Sequence, residues 1–165
     1  MTPSVRGHRP VAGVLWRRRV GFAGVVRKGV FLRITVFARR LAPYTVSFLR
    51  ALAGRGHAIE LLYEAAAGEA PFAGFDLSFC VSAHAEVAGD VHHREWLQRA
   101  DADLPDAAWI AGWTHPLERA AGRRLRRLGR PVVCGLDNPW RGTVRQWLGC
   151  AAAPWLLRPM SDLAW

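Results

Sequence analysis

A chain of 165 residues, 51% of them hydrophobic, is long enough for one domain with a real core, which excludes a disordered polypeptide. The net charge of +10 suggests a nucleic-acid binder until the charges are mapped. Residues 1–31 hold seven basic side chains (Arg6, Arg9, Arg17, Arg18, Arg19, Arg27 and Lys28) and no acidic one, leaving +3 for residues 32–165.

In chain order, residues 1–31 read as a basic, poorly ordered leader with no helical or strand period. Its apolar stretches Val11–Leu15 and Val20–Val26 are cut by Arg17, Arg18 and Arg19 and by Arg27 and Lys28, so neither reaches the roughly 18 residues a membrane span needs. No small-residue cleavage site closes a clean apolar core, which argues against a signal peptide. The body, residues 32–165, opens with a β-branched run, Arg33 to Ala38, that predicts a buried strand. Pro43 suits the first turn of a helix carrying Val46, Leu49 and Ala53, which Gly54 and Gly56 close. His57 to Tyr63 is the next strand, completing one βαβ unit.

Beyond it, Phe75 to Val81 reads as a third strand, and a short helix fits near His93 to Arg99. Ala107 to Ala111 is the fourth strand. The helix from about Pro116 to Leu128 has an expected apolar face of Leu117, Ala120, Ala121, Leu125 and Leu128, with its arginines on a solvated side. Pro131 to Leu136 is the fifth strand, Arg141 to Gly149 is helical, and Pro154 to Trp165 starts another helix. Alternating strands and helices predict an α/β fold, a Rossmann-like parallel sheet with helices on both faces. The final residues stop inside a pattern without a cap, so the sequence reads as cut before a further domain. Cys80, Cys134 and Cys150 lack C-x-x-C spacing, which favours reduced structural thiols in a cytoplasmic protein.

Ligands of an open parallel sheet bind outside the carboxyl ends of its strands. After the first strand come Arg39, Arg40, Pro43 and Tyr44; after the fourth, Trp113, Thr114 and His115; after the fifth, Asp137, Asn138, Trp140 and Arg141. A neutral His115 at a cleft mouth can take a proton from a hydroxyl, or it can simply help start the helix at Pro116. Asp137 and Asn138 can orient that base or grip sugar hydroxyls, with a strand-to-helix turn as the alternative. Trp113 and Trp140 suit stacking on a sugar ring or burial in the core, and Arg39 and Arg40 suit a phosphate or solvent. No G-x-G-x-x-G follows the first strand, so no dinucleotide cofactor is implied. No metal is expected either, because His84, His92, His93 and Cys80 have no spacing that closes a tetrahedron.

Several segments, in order, resemble the group 1 (family 4) glycosyltransferases of the GT-B architecture. They are Arg33-Ile-Thr-Val-Phe with Leu41-Ala-Pro-Tyr-Thr-Val-Ser-Phe-Leu-Arg-Ala-Leu-Ala53, Gly56-His57, Ile110-Ala-Gly-Trp-Thr-His-Pro116, and Arg130-Pro-Val-Val-Cys-Gly-Leu-Asp-Asn-Pro-Trp-Arg-Gly142. The resemblance implies two Rossmann-like domains facing across a cleft, transfer without a metal, acceptor on the first domain and nucleotide-sugar on the second. It places His115 at the family's histidine after the fourth strand. It also implies that this chain is the acceptor-side half, inactive without a donor domain, with a sugar or lipid-linked acceptor and peripheral contact at the inner membrane face. A basic nucleic-acid module and a non-catalytic Rossmann-like ligand-binding domain are the competing expectations.

Overall fold

The strands are β1 (Arg33–Ala38), β2 (Ala58–Glu64), β3 (Ser82–Glu86), β4 (Ala107–Ala111), β5 (Val132–Gly135) and the two-residue β6 (Leu163–Ala164). The helices are α1 (Pro43–Gly54), α2 (Val91–Gln98), α3 (Pro116–Arg127) and α4 (Val144–Leu157). This computed structural model describes residues 31–39, 41–64, 74–86, 90–112, 114–135 and 143–164. The sheet order is β3-β2-β1-β4-β5-β6, and every pairing is parallel. This is the Rossmann-like α/β fold that the alternating pattern predicts. The chain reverses direction of travel across the sheet between β1 and β4, which makes their carboxyl ends the switch point where such sheets hold ligands.

Both faces of the strands are covered, so successive side chains enter different cores. From β1, Phe37 joins Leu62, Ile110 and Val132 beneath α2 and α3, where Trp96, Ala121 and Leu125 are buried. Val36 and Ala38 point the other way, joining Ile59, Leu61 and Leu49 of α1. Gly122 lets α3 settle on the sheet: a Cβ there would lie 2.5 Å from the Met160 carbonyl oxygen and 3.1 Å from Ile110 Cδ1.

A polar network ties α2 to the central strands. Arg99 grips Glu60 with both ends of its guanidinium, at 2.9 and 2.6 Å. The Thr35 hydroxyl donates to Glu60 Oε2 at 2.7 Å and accepts from the Trp96 indole at 3.3 Å. Burial pushes the Glu60 carboxyl up, but the hydrogen bonds from Arg99 and Thr35 outweigh it and hold the pKa below the ordinary 4.5. The carboxylate therefore contributes stability above pH 4.5 that is lost as pH falls through its native pKa. Glu60→Gln is expected to cost about 1–2 kcal/mol at neutral pH. Urea denaturation should show the difference shrinking on acidification, and a gap independent of pH would contradict the charge-assisted bond.

The structure corrects several boundaries. Phe75 to Val81 is not the third strand; Asp76 accepts from the Ser78 amide in a tight turn, and Leu77, Phe79 and Cys80 pack onto the α1 side of the sheet. The strand is the weaker-looking Ser82–Glu86 instead. The expected break before Pro154 is absent, because α4 runs through it to buried Leu157, which with Ala153 is packed on the core. The short β6 follows where a further helix was expected.

The buried stripe of α3 is also rotated from the predicted one. It is Glu118, Ala121, Gly122 and Leu125, while Leu128 is exposed. The arginine face is not simply solvated. Arg124 donates to the Leu97 and Arg99 carbonyls and to Asp101, Arg126 to Asp162 and the Arg158 carbonyl, and Arg130 to the carbonyls of Asp101, Leu104 and Pro105. Three guanidiniums thus clasp the ends of neighbouring segments. Cys80, Cys134 and Cys150 are free cysteines. Among the described residues no helix is long and apolar enough to cross a membrane. The leader lies outside the described residues apart from Phe31.

Candidate functional site

The carboxyl ends of β1 and β4 lie side by side, with Ala38 opposite Ala111 in register. Arg39 leaves β1 and donates to Glu64 at the end of β2 (2.9 Å) and to the Thr114 hydroxyl in the loop after β4 (3.4 Å). Gly112, at φ 134, turns the chain out of β4 in a conformation that a side chain would strain. That turn delivers Thr114 and His115 over the sheet edge.

His115 is the N-cap residue of α3, yet its side chain makes no capping hydrogen bond. Its Nε2 lies 3.3 Å from Asp90 Oδ1. Asp90 stands at the N-cap position of α2 with φ 53, and likewise makes no side-chain cap. Both residues forgo helix capping for each other. A left-handed aspartate is tolerated but uncommon outside turns and functional sites. The helix-start role for the His115 side chain is therefore not what the structure shows.

Next to His115 stands His93, with ring centroids 5.3 Å apart. Glu86, the last residue of β3, accepts from the His93 amide at 2.9 Å and from His93 Nδ1 at 3.0 Å. Burial works against charge on Glu86, but those two hydrogen bonds from His93 outweigh it and hold its pKa below 4.5. Because an ionised carboxylate only accepts, Nδ1 is the protonated nitrogen of His93, so a neutral ring would carry its lone pair at Nε2. At His115 the carboxylate of Asp90 stands by Nε2, and Nδ1 is the nitrogen without a partner.

Glu118 completes the group. It sits one turn into α3, so His115 and Glu118 share one side of the helix at i, i+3. The Glu118 side chain is 3% exposed, and its Oε1 is 4.0 Å from His93 Nε2. Burial pushes its pKa up to about 7, Arg39 pulling down and Glu64 and Asp90 pushing up. Three buried atoms here have no hydrogen-bond partner: His93 Nε2, His115 Nδ1 and Glu118 Oε2. One potential ligand atom from each of the three residues lies within 4.8 Å of the other two. Unpaired buried polar atoms are costly, and this group of residues holds three of them.

Of the residues singled out in the sequence, His115 is central, and Arg39 and Thr114 form a bonded pair beside it. Pro43 opens α1 and Tyr44 is exposed in its first turn; neither belongs to the His93–His115–Glu118 group. Arg40, Trp113, Asp137, Asn138, Trp140 and Arg141 lie outside the described residues. The residues missed were His93, Glu118, Glu86 and Asp90. His115-Pro-Leu-Glu118 at a helix start is the available signal, a histidine and a carboxylate one turn apart.

No family model matches the chain, and no curated protein or solved structure does.

Proposed function

We propose that the chain is the acceptor-side domain of a GT-B glycosyltransferase, moving a sugar from a nucleotide-sugar to a hydroxyl acceptor. The observation that carries the reading is the Asp90–His115 pair at the β1/β4 switch point. An imidazole held by a carboxylate at one nitrogen keeps its other nitrogen as a proton acceptor, which is what activating an acceptor hydroxyl requires. Arg39 and Thr114 beside it supply donors for hydroxyl or phosphate oxygens.

The surface of α4 supports a second domain. Val144, Trp147, Leu148 and Trp155 are exposed and fall at i, i+3, i+4 and i+11, along one stripe. In this reading a donor-binding domain supplies the other wall of the cleft, with the acceptor a sugar or lipid-linked sugar reached from the cytoplasm or the inner membrane face.

Saturation-transfer NMR on the purified chain tests the assignment. Saccharide or lipid-linked saccharide acceptors are expected to bind and to weaken on Arg39→Ala, while nucleotide-sugars bind poorly. Absence of any saccharide contact, with strongly salt-dependent nucleic-acid binding, would favour the basic-module reading instead. In a protein joining this domain to a donor domain, His115→Asn should lower kcat about a hundredfold, the scale of a lost acid or base. Turnover within a few-fold of wild type would remove His115 from the chemistry.

A further inference from the structure

We infer that His93, His115 and Glu118 form a binding site for one divalent transition metal ion of the zinc class, at the carboxyl edge of the sheet. The donor set carries the argument. Two imidazole nitrogens and one carboxylate oxygen suit zinc and its neighbours, whereas magnesium and calcium take oxygen. The three atoms left without partners, His93 Nε2, His115 Nδ1 and Glu118 Oε2, are one from each of these residues.

The surrounding groups fit the same role. Metal-ligating histidines commonly hold their second nitrogen against a carboxylate, which fixes the tautomer and aims the lone pair at the ion. His93 has Glu86 at 3.0 Å and His115 has Asp90 at 3.3 Å in that position. Glu118 would supply a negative charge directly to the ion. Arg39 opposes a cation there, but its guanidinium is already paired with Glu64 at 2.9 Å. Ligand atoms about 2.1 Å from a tetrahedral ion are roughly 3.4 Å apart. The 4.8 Å group is at most about 1.4 Å wider than that spacing, a difference the ligand side chains would close on taking up the ion. Three protein ligands leave at least one position for water or substrate. The side chain of His115 is 15% exposed against 6% for His93 and 3% for Glu118, so the open side is at His115.

The inference does not rest on the sugar-transfer reading and departs from the metal-independent chemistry that the resemblance implies. With an ion on Nδ1, His115 would no longer be a free base, and a hydroxide held by the ion, formed by loss of a proton from bound water, would be the proton-accepting group at the cleft.

The test is direct binding to the full chain. After stripping with EDTA, zinc is titrated by calorimetry and by competition with a chromophoric chelator, and cobalt(II) is added to read ligand geometry from its visible bands. One zinc per chain is expected, with a rise in thermal midpoint. Glu118→Gln keeps the shape of the side chain and should weaken zinc at least tenfold, His93→Ala and His115→Ala at least a hundredfold, and Glu86→Gln about ten- to a hundredfold. His84 and His92, with rings 4.8 Å apart, form the competing surface pair. Their double alanine variant should bind as wild type does. Circular dichroism identifies any variant that fails to fold, and Glu118→Gln with the His84/His92 variant then decides the matter alone. Absence of stoichiometric zinc, or zinc that survives Glu118→Gln and disappears with His84 and His92, would overturn the site.

Discussion

Truncating Trp96 to alanine is expected to cost the fold about 3–5 kcal/mol, the range for large aromatic deletions in packed cores. Trp96 is fully buried, its ring meeting Phe37 edge-on at 5.1 Å and 80°. Its indole N–H also donates to Thr35, whose hydroxyl in turn serves Glu60. Truncation leaves a cavity and frays the network that fixes α2. Domains of this size have about 5–15 kcal/mol in total, so the variant should lose a large share of its stability. Trp96→Phe keeps the ring and loses the donor, and should cost less. Denaturant midpoints read both, and a loss below about 1 kcal/mol for alanine would show that α2 is not anchored through this residue.

The second large effect is on pH. In the metal-free chain, held so with EDTA, the native pKa of Glu118 is about 7 against an ordinary 4.5. Between those values the native state binds more protons than the unfolded state, so stability falls as pH rises from 4.5 and levels off above 7. The shift corresponds to about 3 kcal/mol. Glu118→Gln, which stays neutral, should be more stable than wild type near pH 8 by an amount of that order and should lack the slope. Thermal melts across the range measure it. A wild type and variant that run parallel from pH 5 to 8 would show that burial does not hold the carboxyl protonated.

Legibility tracked how local the determinants were. β1, α1, β4 and α3 carry their signals within a few residues: the β-branched run, Pro43 and Pro116 at helix starts, and the glycines after the helices. β3 was misplaced because Phe75 to Val81 is apolar enough for a strand, while Ser82–Glu86 is not obviously one. Only the pairing with β2 decides between them, and that is a tertiary choice. The switch-point rule found His115, since it needs only strand order. His93 and Glu86 were invisible for a different reason. Their partnership depends on where α2 docks, whereas in the sequence His93 stands only beside His84, His92 and Cys80, whose spacing closes no metal site. Glu118 draws no attention in the sequence because a charged residue in an arginine-rich helix is ordinarily solvated, and a site is where that rule fails.

The central position of β1 also sets an order of assembly. Its partner on one side, β2, follows after a single helix, but its partner on the other side, β4, follows only after β2, β3 and α2. At ~5–20 residues per second of synthesis, β1 spends on the order of seconds with one edge paired and the other bare. An unpaired apolar edge of that kind is where nascent chains stick to one another. Expression yield should therefore depend on chaperone supply and on translation speed between β2 and β4 more than on the equilibrium stability of the finished sheet.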